Sequence, residues 1–294
     1  MGRSIFSLRF FLYLLYGLGL TAVLLYVRFP TEKFKQFCEN RLEHYLPGTT
    51  CKIEKVSYRF PLSTVLERVN LAAAEANEQA GLGMQELVIT ARPETFFGGY
   101  LLDGDILGGT FSAELDLDKK NNRFELNDIA LSDLDLGNLV AGLGEVEREM
   151  SGIMDYSGSY QADSTHPLQG SGKGVVKVGK GSMALLQPVL GLSAIDFDSV
   201  EVSVTQEKGV VGLAEGKLKG QDIVADFTGQ IKGATPLANS IILLSGQIEP
   251  QDNFLRNNPR EQKVVQRLLK RYKMAALPFK VGGTVKRPLF RFSK

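Results

Sequence analysis

Apolar and polar residues alternate along much of this chain from Cys51 onwards, which is the period of a β-strand with one buried face. The segment GTFSAELDLD, residues 109–118, places Phe, Ala and Leu at every second position, with Ser, Glu and Asp between them. The polar stretch DKKNNR follows, and Phe124 and Leu126 then resume the apolar positions. This pattern predicts a β-hairpin with one face towards a core and the other towards solvent.

Three segments depart from the alternation and repeat their apolar residues every three or four positions, as an amphipathic helix does. They are residues 31–46, 136–150 and 259–276. Thr31 is a suitable N-cap for the first of them, and Pro47-Gly48 is a suitable stop. We expect about a dozen strands beside these helices. The predicted class is therefore mainly β: a long, twisted antiparallel sheet that can form a groove, with a few short helices.

The segment from Phe10 to Val27 is an unbroken run of 18 uncharged residues bounded by Arg9 and Arg28. As a helix it would be about 27 Å long, close to the roughly 30 Å hydrocarbon core of a bilayer. We therefore expect a single transmembrane helix that acts as an uncleaved signal anchor. A cleaved signal peptide is one alternative, but the run is long for a signal core and no small-x-small site follows it. A buried core helix is another, and it would need cover on all sides.

The predicted anchor divides the chain into three parts. Residues 1–29 are a cytoplasmic stub and the anchor, residues 30–47 are an amphipathic helix beside the membrane, and residues 48–294 are a β-rich domain. An N-terminus in the cytoplasm is favoured because a long domain is translocated largely regardless of nearby charges such as Arg28, Lys33 and Lys35. The composition, 44% hydrophobic and 23% charged, is typical of a globular domain.

Positive charge is concentrated near the C-terminus. Residues 254–294 contain twelve Lys or Arg and one acid, Glu261, a net charge of +11; because the whole chain carries +1, the remainder carries −10. Such asymmetry favours an anionic partner, such as lipid headgroups or an acidic protein face, although the segment could instead pack on the acidic body or be solvated. The overall balance argues against a nucleic-acid-binding protein. The candidate contact residues are Lys263, Arg267, Lys270, Arg271 and Lys273.

The chain has two cysteines, Cys38 and Cys51, whose spacing fits neither a CxxC redox motif nor a zinc site. If this part of the chain lies outside the cytoplasm, a disulfide between them would close a short loop and stabilise the fold by roughly 3 kcal/mol. Two buried free thiols would give the same sequence, so both alternatives stay open.

No segment carries a recognisable catalytic, cofactor or metal site. The glycine-rich GSGKG, residues 170–174, lacks the spacing of a P-loop and lies in alternating strand sequence, so we expect no nucleotide there. Asp116 and Asp118 fall on the solvated face of a predicted strand, where paired acids usually serve solubility. The two histidines lack partner patterns. We therefore expect no enzyme activity, no cofactor and no metal.

Several segments carry a resemblance when they are taken in order after the anchor: VSYRFPLSTVLERVNLAAAE, LLDGDILGGTFSAELDLD, the long stretch from LQGSGKG to DFTGQI, and finally LPFKVGGTVKRPLF. Together they resemble protein N of the bacterial type II secretion system, in the variant found in deltaproteobacterial-type operons. The C-terminal segment also resembles AsmA-like proteins. The resemblance covers nearly the whole chain.

The resemblance implies a single-pass inner-membrane protein with its β-rich domain in the periplasm, associated with protein export and without a cofactor. Two functions are open. In the first, the chain is an accessory scaffold that contacts other secretion subunits, for instance by strand addition at a sheet edge. In the second, which the AsmA-like similarity suggests, an apolar sheet face binds or transfers phospholipid. The discriminating feature is whether that face is filled by the chain's own helices.

Overall fold

The computed structural model describes residues 10–17, 19–20, 31–45, 49–73, 81–95, 98–142, 149–234, 237–272 and 276–293. Within these residues the chain is mainly β with few helices, as predicted. The helices are α1 (residues 10–17 and 19–20), α2 (Thr31–Tyr45), α3 (Leu136–Gly142), α4 (Asp252–Asn257) and α5 (Pro259–Tyr272).

Fourteen of the described strands form one antiparallel sheet. In chain order they are β1 (Thr49–Arg59), β2 (Ser63–Ala73), β3 (Leu82–Arg92), β4 (Gly99–Ile106), β5 (Gly109–Asp118), β6 (Arg123–Asp135), β8 (Ile153–Asp163), β9 (Ser171–Val178), β12 (Ser199–Glu207), β13 (Val210–Lys219), β14 (Ile223–Lys232), β15 (Ile241–Pro250), β16 (Leu277–Gly283) and β17 (Pro288–Phe292). A second sheet has three strands: β7 (Met150–Ser151), β10 (Gly181–Val189) and β11 (Leu192–Phe197).

The large sheet follows the chain almost without interruption, because every strand pairs with the one before it and the one after it in sequence, apart from the members of the small sheet. With neighbouring strands roughly 4.8 Å apart, the fourteen strands span a contour of about 60 Å. β1 and β17 are the two edges. A helix-bearing N-terminal end and a helix-bearing C-terminal end are therefore separated by the full width of the sheet.

One face of the sheet, here called the inner face, carries the apolar positions of the alternation. The hairpin of β5 and β6 illustrates the register, since Phe111 pairs with Leu131 and Leu115 pairs with Leu126. The opposite face of β5 carries Ser, Glu and Asp residues, so the predicted two-sided hairpin is confirmed. Both predicted alternations therefore belong to one continuous apolar surface.

Register shifts interrupt the pairing at several places, including β3 with β4, β5 with β6 and β13 with β14. Asp128, Asp133 and Glu215 adopt positive φ angles of 48°, 59° and 51° at or beside such shifts in β6 and β13. An extra residue on one strand bends it and increases the local twist. The sheet is therefore bent repeatedly along its width.

The two ends of the inner face are covered. At one end α2 places Phe34 and Cys38 against a cluster that contains Ile53 and Val69. At the other end β11 packs against Ile223 and Ile248, and α4 and α5 contribute a cluster around Phe254, Val265 and Leu277. The predicted helices 31–46 and 259–276 are thus confirmed as α2 and α5, with ends a few residues shorter among the described residues.

The predicted helix over residues 136–150 is wrong at its C-terminal end. Helix α3 covers Leu136–Gly142, residues 143–148 lie outside the described residues, and Met150 belongs to strand β7, where it pairs with Met183 of β10. The pairing with a strand more than 30 residues away then determines the conformation of Met150.

No helix among the described residues is both long enough and apolar enough to cross a membrane. Of the predicted anchor between Phe10 and Val27, residue 18 and residues 21–27 lie outside the described residues. The described part, α1, is exposed along its whole length, including Phe10 at 67% and Tyr13 at 76%.

Candidate functional site

The inner face of the central strands is an apolar surface that the described residues leave partly exposed. On β4, β5, β6, β8 and β9 every large apolar inner-face side chain except Leu134 is only half-buried. We call this surface the central apolar face. Its residues are Tyr100, Leu102, Ile106, Phe111, Leu115, Leu117, Phe124, Leu126, Ile129, Leu131, Met154, Tyr156, Tyr160, Val176 and Val178.

The strand alternation produces this surface directly. The opposite face of β8 is mostly polar, with Asp155, Ser157, Ser159 and Gln161 after Ile153 at the start of the strand. Because successive side chains of a strand point to opposite sides, the polar set keeps one face solvated and confines the apolar set to the other. The covering elements reach the two ends of the inner face, and the central strands stay half-exposed.

On the central apolar face, tyrosine rings lie over glycines of the neighbouring strand. Gly158 of β8 and Gly174 of β9 are direct cross-strand partners. The Tyr156 side chain lies against both: a Cβ added to Gly158 would come within 2.4 Å of its hydroxyl oxygen, and one added to Gly174 within 2.5 Å of its ring. The phenol therefore lies flat over backbone, where a side chain on either neighbour would push it upwards.

Tyr160 lies four residues further along β8 on the same face and repeats this arrangement. Its ring lies 2.8 Å from the position that a Cβ on Gly172 would occupy. Its hydroxyl donates a hydrogen bond to the Pro167 carbonyl at 2.6 Å and accepts one from the Gly170 N–H at 3.0 Å. Burial raises the pKa of the Tyr160 hydroxyl, and the Gly170 N–H opposes that shift. These bonds fix the ring at one border of the face.

The Tyr156 hydroxyl differs, because it forms no hydrogen bond with any other described residue. Burial raises its pKa, so it is a neutral hydroxyl at physiological pH. A neutral donor within an apolar surface can bind an ester or carboxyl oxygen of a ligand without introducing a charge.

The sequence did not single out Tyr156, Tyr160 and their glycines as a site. The strand predicted at GSGKG is confirmed for residues 171–174, which lie in β9, and Gly170 directly precedes the strand. A signal was present in YSGSY, residues 156–160, where Tyr, Gly and Tyr occupy alternate positions of one strand. Aromatic rings covering cross-strand glycines are a known device for stabilising glycine-containing sheets.

Cys38 and Cys51 lie on facing elements, α2 and β1, and belong to one apolar cluster. Both are free thiols in the structure, Cys38 half-buried and Cys51 buried. Burial, with Glu39 and Glu43 nearby, raises the pKa of the Cys51 thiol to about 11. The disulfide between them stays a prediction.

The predicted anionic-partner residues Lys263, Arg267, Lys270 and Arg271 are brought together on the exposed side of α5. Lys273 lies outside the described residues. Phe10 is exposed on α1, and Val27 lies outside the described residues. The basic side chains and the central apolar face are thus separate features, at the C-terminal end and the middle of the same sheet.

No protein-family model matches this chain, no curated protein is similar to it in sequence, and no solved structure matches its fold.

Proposed function

We propose that this chain is a membrane-anchored lipid-binding protein whose central apolar face receives the acyl chains of phospholipids. The observation that carries the proposal is a contrast along the inner face among the described residues: its ends are covered by α2 and by α4, α5 and β11, whereas the large apolar side chains of its middle strands are mostly only half-buried. A contiguous apolar surface whose large side chains stay partly exposed is a candidate binding site for an apolar ligand or membrane.

The shape of the sheet suits an extended chain better than a compact ligand. The central apolar face crosses five neighbouring strands, roughly 20 Å in the hydrogen-bonding direction, which is comparable with an extended acyl chain. Repeated bulges bend the sheet, so that the face can form a trough. The Tyr156 ring lies over its cross-strand glycines at the centre of this face.

Membrane anchoring is part of the proposal. Every described residue of α1 is exposed, and the run from Phe10 to Val27 is free of charge. An apolar helix with no cover from its own chain is stabilised by lipid. In the proposed arrangement the anchor crosses a bacterial inner membrane once and the sheet lies in the periplasm, where lipids leaving the bilayer would meet the sheet beside α2.

Mass spectrometry of lipids extracted from the purified full-length chain tests the proposal. Val175 and Val176 are neighbours on β9, both half-buried, and face opposite sides of the sheet. We expect Val176→Glu, which places a carboxylate on the central apolar face, to lower copurified phospholipid at least about fivefold. Val175→Glu, its matched control on the outer face, should leave the amount unchanged. Equal lipid content in the two variants would refute lipid binding at this face.

A second candidate function is a scaffold within a type II secretion system, and one observation favours it. Among the described strands β17 is paired on one side only, whereas at the β1 edge the backbone N–H groups of Cys51 and Ile53 donate to carboxylates of α2. A partner strand would therefore add at β17, which exposes Leu289 at 62%. Pull-down from native membranes that recovers no secretion subunit, together with normal secretion in a deletion strain, would exclude this candidate.

A further inference from the structure

The outer side of α5 is strongly cationic. Five of its basic side chains are exposed, and by helical spacing they fall within about 100° of the helix circumference. We call this surface the basic face of α5. Its members are Arg260, Lys263, Arg267, Lys270 and Arg271.

The packing of α5 fixes the direction of the basic face. On the opposite side of the helix, Val265 is 1% exposed and contacts a cluster with Phe254 and Leu277, both fully buried. The Tyr272 hydroxyl also donates a hydrogen bond to the Phe292 carbonyl of β17 at 3.1 Å. Because the apolar side is held on the sheet, the basic face must point into solvent.

The positive charge of this face is not neutralised locally. Among the residues that the structure describes, none of its five side chains forms an ion pair with an acid. Arg267 donates only to the backbone carbonyl of Lys263, at 3.4 Å. Val264, 44% exposed, lies at one border of the basic face. A solvated cationic surface with an exposed apolar residue at its border is typical of contact with a charged bilayer surface.

The position of α5 connects this surface to the inner face of the sheet. Leu192 and Phe292 contact both the α5 cluster and the cluster of Ile223, Ile248 and Phe279. The basic face therefore lies beside the C-terminal end of the apolar inner face.

We propose that the basic face of α5 docks the C-terminal end of the sheet on a bilayer surface that contains anionic phospholipid. Nucleic acid is disfavoured because the rest of the chain carries a net charge of −10 and would repel a polyanion. The proposed function enters this inference only as the reason for docking, which is the exchange of lipids with the sheet. Docking itself requires no lipid on the central apolar face, so the two proposals can fail separately.

A single tryptophan can report docking, because the chain contains none. Gln266→Trp puts the reporter at an exposed position of α5 beside the basic face. The full-length protein is reconstituted into phosphatidylcholine nanodiscs with or without about 30 mol% phosphatidylglycerol, and energy transfer to dansyl-labelled lipid is measured. The dansyl lipid is placed in the disc in one series and in added vesicles of the same two compositions in the other.

We expect energy transfer in at least one series to rise about threefold or more when phosphatidylglycerol is present, and to fall again at high salt. A reporter at Thr205→Trp, exposed on the outer face of β12, should show no such rise. The rise should disappear in the fourfold variant Lys263→Gln, Arg267→Gln, Lys270→Gln and Arg271→Gln.

Two further variants test whether the response depends on the basic face of α5 or only on the net charge of the protein. The first removes the same charge from exposed lysines elsewhere and should keep the response: Lys173→Gln, Lys208→Gln, Lys217→Gln and Lys219→Gln. The second, Arg267→Lys with Arg271→Lys, keeps the charge and should also keep the response. The absence of a phosphatidylglycerol-dependent rise in both series, or equal losses in the two fourfold variants, would overturn the inference.

Discussion

The Glu39 carboxylate of α2 accepts a hydrogen bond from the backbone N–H of Ile53 on edge strand β1, at 2.9 Å. One helical turn later Glu43 accepts from the Cys51 N–H at 3.2 Å. The two acids are four residues apart on the helix and their partners are two residues apart on the strand. These spacings match, because each covers about 6 Å along its element. Helix α2 thereby covers the inner face and also occupies the edge at the N-terminal end of the sheet.

Replacing Glu39 by Ala should weaken this end of the sheet. The Ile53 N–H would lose its acceptor, and we expect the free energy of unfolding to fall by about 1–2 kcal/mol. Hydrogen exchange at Ile53 should accelerate, which mass spectrometry of β1 peptides can measure. Glu39→Gln keeps an acceptor oxygen and is the matched control. Equal exchange at β1 in wild type and Glu39→Ala would contradict this account of the edge.

Substitution of Gly99 should be much more costly than substitution of Gly83. The Arg92 side chain crosses Gly99 of β4 to bind Asp116 and Glu114 of β5, the latter at 2.7 Å. A Cβ on Gly99 would come within 2.7 Å of the guanidinium. We expect Gly99→Ala to lower the free energy of unfolding by about 1–3 kcal/mol.

Gly83 on β3 is the control for that experiment, since a Cβ there would meet nothing within 4 Å. Urea denaturation should show Gly83→Ala unchanged or slightly more stable. If both alanine variants lose stability equally, the Arg92 bridge across β4 is not what requires glycine at position 99.

The ring of Tyr156 should matter more to stability than its hydroxyl. Tyr156→Ala uncovers Gly158 and Gly174, and we expect a loss of about 1–3 kcal/mol in the free energy of unfolding. Tyr156→Phe keeps the ring and removes a hydroxyl that has no partner among the described residues, so it should change stability by less than about 0.5 kcal/mol. Thermal unfolding of the two variants side by side decides between ring and hydroxyl.

We expect the Cys51 thiol to lower the free energy of unfolding at alkaline pH. Its pKa is raised from 9.0 to about 11 by burial and by the nearby acids, so the folded state holds the proton more tightly than the unfolded state. The resulting stabilisation is complete below about pH 9 and is lost as the pH rises to about 11. The free energy of unfolding should therefore fall more steeply for wild type than for Cys51→Ala as the pH rises from about 8 to about 11.

Parallel curves for wild type and Cys51→Ala would contradict that environment for Cys51. The same samples test the predicted disulfide, because a bond between Cys38 and Cys51 would leave no thiol to titrate or alkylate until reductant is added. Intact mass after alkylation, with and without reductant, distinguishes the two states.

Local patterns predicted much of this fold. Strict alternation gave the β5 and β6 hairpin, and apolar spacing gave α2 and α5, because in these segments period and packing agree. The strand at Met150 could not be predicted, since it depends on pairing with Met183. The candidate site was more difficult to predict than the fold. Alternation predicts an apolar face, but whether helices cover that face depends on how far α2 and α5 extend over it.

Photocrosslinking from lipid to protein tests the central claim most directly. The full-length chain in nanodiscs would be irradiated with phospholipid that carries a diazirine at the end of one acyl chain, and the attached residues mapped by mass spectrometry. We predict attachment at inner-face residues of the central strands, such as Leu102, Leu126 and Val176, and its loss in Val176→Glu but not in Val175→Glu. Attachment confined to residues 10–27, with equal yields in both variants, would contradict lipid binding by the sheet.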